Sequence, residues 1–135
     1  MQKNFSKRLK QKNISGIITM FLIGFLLNIS NINAQNKSND IRDAVRDLQI
    51  EKLSPVFNDM VEVVIKGQSN VSSKLQTQNI LSDFFKKSRP SSVTISDNQQ
   101  SGNVLQITLQ INSSGQSIQM KVILQDNLIT KIQID

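Results

Sequence analysis

"NVLQITLQIN", residues 103–112, sets Leu105, Ile107, Leu109 and Ile111 on one side of an extended chain and Gln106, Thr108 and Gln110 on the other. A period of two in a β-branched-rich run is a strand with one buried and one wet face. "SIQMKVILQ" (117–125) repeats the pattern with Ile118, Met120, Val122 and Leu124 inward. "LITKIQID" (128–135) alternates again, with Ile132 and Ile134 sharing a face, and "SVTIS" (92–96) adds a strand before them. Ser113-Ser114-Gly115 and Asp126-Asn127 have the chemistry of tight turns, so these strands form an antiparallel meander.

Upstream of Pro90 the period becomes helical. In "LQTQNILSDFFKKSRP" (75–90), Leu81, Phe84 and Phe85 fall on one face, with Ile80 four residues before Phe84. Ser73 and Gln76 have the spacing of a capping box. Lys86, Lys87 and Arg89 lie where cations offset the exposed carbonyls of a helix end, and Pro90 stops the helix. "MVEVVIKG" (60–67) is a β-branched strand ended by Gly67, and "KGQSN" reads as a turn. Glu51 to Phe57 predicts a short helix, with Pro55 tolerable only in its first turn. "NDIRDAVRDL" (39–48) puts Ile41, Ala44, Val45 and Leu48 at helical spacing, with Asn39 as N-cap. Helices first and a meander after them predict one α+β domain.

The chain has 135 residues and a formal charge of +6, but the excess is local. Lys3, Lys7, Arg8, Lys10 and Lys12 precede the apolar run "IITMFLIGFLL" (17–27), which leads into "NISNINAQ". A basic start, a short apolar run and a small residue before a cut predict a signal peptide over residues 1–34, cleaved between Ala34 and Gln35. The apolar run is shorter than the roughly 18 residues a spanning helix needs, so a retained anchor is the lesser reading. Residues 35–39 are expected to be a flexible stub and 40–135 the domain.

Beyond Ala34 there are 11 Lys and Arg against 10 Asp and Glu, which removes the electrostatic case for nucleic acid. The expected location is outside the cytoplasm, periplasmic or secreted, with no membrane attachment once the signal is gone. Cys, His, Trp and Tyr are absent, so thiol chemistry and imidazole relays have no residues to use.

The run "FNDMVEVVIKGQSNVSSKLQTQNILSDFFKKSRP" resembles a family of small secreted Bacteroidetes proteins of unknown function. The shared pieces are Phe57 to Asp59, Val61 and Glu62, Gly67, Ser73, Lys74, Gln76, Ile80, Leu81, Asp83 to Phe85 and Pro90. The resemblance spans nearly all of the chain beyond the signal. It implies a nuclear transport factor 2-like, or cystatin-like, fold: a strongly bent antiparallel sheet packed against three helices from the N-terminal half. It also implies a cone between sheet and helices, and no particular activity.

Within that cone the candidate ligand-pocket residues are Phe57, Val63, Leu81, Phe84, Phe85, Leu109 and Val122. The favoured function is a non-enzymatic binding or interaction module holding a small hydrophobic ligand, with no cofactor and no catalytic residue. Two alternatives stand beside it. A carboxylate-based isomerase or hydrolase would rest on Glu62 or Asp59, whose ordinary reading is a solvated strand and turn. A purely structural domain would have its cone filled by side chains. Asp40, Asp43 and Asp47 share a helix edge, but Arg42 and Arg46 flank them, so no metal site is assigned. The outer sheet face (Gln106, Thr108, Gln110, Gln119, Lys121) is the candidate surface for a homodimer.

Overall fold

The computed structural model describes residues 33–135, and Ala34–Asp135 form one compact unit. The expected signal segment therefore lies almost wholly outside the described residues. Helix α1 covers residues 33–46, and a 3-10 helix follows at Ile50–Val56. Strands β1 (Phe57–Ile65) and β2 (Gln68–Ser73) form a hairpin, and α2 (Lys74–Ser88) comes next. The meander β3 (Ser92–Ser101), β4 (Val104–Ser113), β5 (Gln116–Gln125) and β6 (Leu128–Ile134) completes the chain.

The six strands make one curved, open sheet in the order β2-β1-β6-β5-β4-β3. Every pairing is antiparallel except β1 with β6, so the sheet is mixed where a wholly antiparallel one was expected. The exception follows from the connectivity. Helix α2 carries the chain away from the β1–β2 hairpin, and four strands of meander return β6 alongside β1. Three hairpins turn on two residues that both have positive φ: Lys66-Gly67, Ser114-Gly115 and Asp126-Asn127. That is the backbone of turns whose twist matches the strands they join. Register shifts at Ile95/Asp97, at Ile123/Leu124 and between β1 and β6 mark irregularities of the kind that bend a sheet.

The alternation read in β4 to β6 holds in the packing. Leu105, Ile107, Leu109, Ile111, Met120, Val122, Leu124, Ile132 and Ile134 are all buried, joined by Phe57, Val61 and Val63 from β1. Onto this face α2 lays Leu81 and Phe85, α1 lays Ile41, Ala44 and Val45, and the 3-10 helix adds Ile50 and Leu53. Ser73 caps α2 as expected: its hydroxyl accepts from the Gln76 amide at 3.3 Å while Gln76 Oε1 accepts from the Ser73 amide at 3.0 Å. Arg89, in the left-handed region, ends the helix before Pro90.

Three local expectations need correction. Residues 35–39 are helical rather than a loose stub, so Asn39 lies inside α1 and not at its start. Tertiary anchoring explains this: Ser38 is fully buried, donates to the Ala34 carbonyl at 2.8 Å and accepts from Asn98 Nδ2 at 2.8 Å. The segment read as a helix over Glu51–Phe57 is 3-10, and Phe57 already belongs to β1. Pro55 sits late in it, where its missing N–H cannot serve an α-helical ladder. The turn-like "QSN" is the start of β2, held extended by its pairing with Val63, Val64 and Ile65.

Candidate functional site

Helix α2 buries Thr77, Leu81 and Phe85 against the sheet. Beside that face runs a second row, Ile80, Phe84 and Ser88, four residues apart, with Lys87 three residues after Phe84. This row is only partly covered, and two adjoining depressions open along it. One, of about 370 Å³, lies between Ile80 and the inner face of the β1–β2 hairpin, walled by Val63, Ile65, Gln68 and Asn70. The other, of about 490 Å³, lies between Phe84 and the β4–β5 turn, with Ser113, Ile118 and Ile134 in its wall. Lys66, in the β1–β2 turn, lines both.

The groove has an apolar interior and a polar rim. Ile65, Ile80, Phe84 and Ile118 are half-buried side chains packed on the core, and they come from three elements, β1, α2 and β5. Depressions of this size are in the range that holds small ligands. At the rim stand Lys66 and Lys87, with the Asp135 carboxylate also in the lining. The serine hydroxyls close to the floor are committed inward: Ser88 Oγ donates to the Phe84 carbonyl at 3.0 Å, and Ser113 Oγ donates to the Ser88 carbonyl. Asp135 Oδ2 accepts from Gln133 Nε2 at 2.8 Å.

The residues proposed from sequence to line a pocket are distributed unevenly. Phe57, Leu81, Phe85, Leu109 and Val122 are fully enclosed in the core. Val63 reaches the first depression and Phe84 the second. Lys66, Ile80, Ile118 and Lys87 complete the groove without having been proposed for it. Each carried only half a signal, as a turn residue, the margin of an apolar stripe, or a helix-end cation.

The candidate carboxylates lie elsewhere. Glu62 is on the outer sheet face, accepting from Ser69 Oγ at 2.8 Å and lying 3.6 Å from Lys131 Nζ. The Asp59 side chain is 94% exposed, with Lys74 Nζ at 3.6 Å. On α1, Arg46 spans Asp43 at 3.2 Å and Asp47 at 2.9 Å, while Arg42 holds Asp43 at 2.9 Å. The hydrogen bond from Arg46 keeps the Asp47 carboxyl below its ordinary range, and the same pairing raises the Arg46 guanidinium. Burial lowers the Lys37 ammonium. On the outer face of the proposed dimer surface Thr108 is buried, and Gln106, Gln110 and Lys121 are half-buried. Among the described residues no helix is long and apolar enough to cross a membrane.

Comparison with known structures places this geometry. A Bacteroides ovatus protein of the DUF4783 family superposes with a TM-score of 0.66 at 20% identity, over 70% of this chain and 90% of that one. A Bacteroides fragilis member gives 0.64 at 17% identity, over 70% and 93%. A Burkholderia xenovorans NTF-2 like protein of unknown function gives 0.58 at 11%, over 76% and 84%. At such identities the likeness concerns the fold, which is nuclear transport factor 2-like. No match is found among curated proteins. Residues 38–135 match the family described as a domain of unknown function, DUF4783, and the chain belongs to that family.

Proposed function

We propose that the protein is an exported, non-catalytic binding module that holds a small apolar ligand in the groove beside α2. The observation that carries this reading is the apolar lining of the two adjoining depressions, Ile65 and Ile80 in the smaller and Phe84 and Ile118 in the larger. A guest that covers these half-buried apolar side chains from three elements removes their area from water, at roughly 25 cal/mol per Å². The pattern of its carboxylates supports a binding role over a proton-transfer role. Glu62 faces outward between Ser69 and Lys131, away from the groove. The leader of residues 1–34 supports a place in the periplasm or outside the cell.

Native mass spectrometry of the protein isolated gently from its host tests the reading. A stoichiometric small-molecule adduct, lost in Phe84→Ala, is the expected result. A protein that carries no adduct, and whose Phe84 region is unperturbed by apolar probes in solution, would overturn it.

A further inference from the structure

The bond expected to be cut on export lies inside the folded domain. On the reading above that residues 1–34 are a leader, removed between Ala34 and Gln35, Ala34 is the last residue of the discarded part. It stands in α1, half-buried and packed against the hydrophobic core. Its carbonyl, the one a peptidase would attack, accepts a hydrogen bond from Ser38 Oγ at 2.8 Å. Ser38 is fully buried and accepts in turn from Asn98 Nδ2 on β3 at 2.8 Å.

Hydrolysis adds water across Ala34–Gln35, leaving a carboxylate on Ala34 and an amine on Gln35. The peptidase must reach the carbonyl carbon and bring its own donors to the carbonyl oxygen as negative charge develops there. In the folded chain that oxygen is engaged by Ser38 and the residue that carries it is packed. Freeing it means unwinding the first turn of α1 and drawing Ser38 out of the interior. Such a local opening is one the enzyme has to wait for. We propose that folding closes the processing site, with the Ser38–Asn98 bond as its fastening, so that the leader is removable only before α1 docks. The order of the chain suits this device. Asn98 follows Ser38 by 60 positions, so the cleavage site emerges well ahead of the residue that fastens it.

The test treats the full chain, leader included, with a purified bacterial leader peptidase in detergent micelles. Mass spectrometry identifies the cut, and the loss of the intact chain gives its rate. Phe85→Asp puts a charge in the core and serves as the open reference, its unfolded state checked by circular dichroism. Cutting between Ala34 and Gln35 is expected in both chains, and about ten-fold or more slower in the folded one. In the folded chain Asn98→Ala should raise the rate about five-fold, the effect of losing one hydrogen bond. Ser73→Ala, a comparable loss placed at the start of α2, should leave it unchanged. Equal rates in the folded chain and the open reference would overturn the closure and leave the leader reading standing. Equal acceleration by Asn98→Ala and Ser73→Ala would overturn the role of the Ser38–Asn98 bond. A cut at another bond, or none in either chain, would overturn the leader reading and this inference with it.

Discussion

The rings of Phe84 and Phe85 stand edge to face, with centroids 5.2 Å apart and planes at 89°. Neighbours in sequence, they divide two tasks: Phe85 is fully buried under the sheet, and Phe84 shows one side to the groove. Phe85→Ala should therefore cost about 3 to 5 kcal/mol, the usual cost of emptying a core ring position. Phe84→Ala should cost about 1 kcal/mol, because less of its surface leaves water. Urea denaturation of both variants measures the contrast. Comparable losses would mean that Phe84 is a structural residue and no part of an open site.

Ser38 on α1 and Asn98 on β3 are tied by a hydrogen bond across 60 positions of sequence. Asn98→Ala removes the donor and leaves Ser38 Oγ with its bond to Ala34 alone. A loss of about 1 kcal/mol is expected, with faster amide exchange over residues 35–40. A double-mutant cycle with Ser38→Ala should return a coupling energy of similar size. Additive single effects would show that the bond does not anchor the helix.

Thr77 is fully buried on α2, and its hydroxyl has no hydrogen-bond partner among the described residues. A buried donor left unpaired costs about 1 to 3 kcal/mol. Thr77→Val keeps the branched shape and removes the hydroxyl, so it should raise the urea midpoint. Destabilisation by that substitution would mean the hydroxyl finds a partner in solution.

Arg46 holds the Asp47 carboxyl below its ordinary pKa. A carboxylate shifted down in the folded protein contributes stability above its unfolded pKa, and loses it as pH falls through the folded value. Arg46→Gln should return Asp47 to the usual carboxylate range in a pH titration followed by NMR. Both groups are exposed, so the change in overall stability should be small and sensitive to salt. An unchanged Asp47 titration would assign the shift to another source.

The capping box at Ser73 offers a separate check. Ser73→Ala should cost about 1 kcal/mol, and Ser73→Asp should recover most of it, because either oxygen can accept from the Gln76 amide. Thermal melts of the two variants would show this order, and equal melts would assign the start of α2 to packing alone.

The sequence carried the meander well because every strand in it has one dry face, and a dry face leaves a period of two in the residues. The capping box and Pro90 marked both ends of α2 for equally local reasons. Strand β2 was hidden: of Gln68 to Ser73 only Ser72 is buried, and a strand held by a turn and a neighbour needs no apolar alternation. Ser38, within residues 35–39, is tied to Asn98 far along the chain, a contact that no local pattern encodes. The groove was partly legible. Val63 and Phe84 were marked by their periods, while Ile65, Ile80 and Ile118 lie at the margins of apolar stripes. Margins acquire meaning only when the fold brings several of them to one place.

The position of β6 has a consequence for how the protein is assembled. It is the last of the six strands along the chain, yet it lies between β1 and β5. Until it docks, the β1–β2 hairpin and the β3–β5 meander are two fragments with no ladder joining them, and each has an apolar strand edge open. A chain emerging from a ribosome or a translocation pore would hold those edges bare until residues 128–134 arrive. Long-range pairing of this kind slows folding. The sheet is thus completed late and in one step, and a lesion in β6 would harm the yield of folded protein more than its local burial suggests.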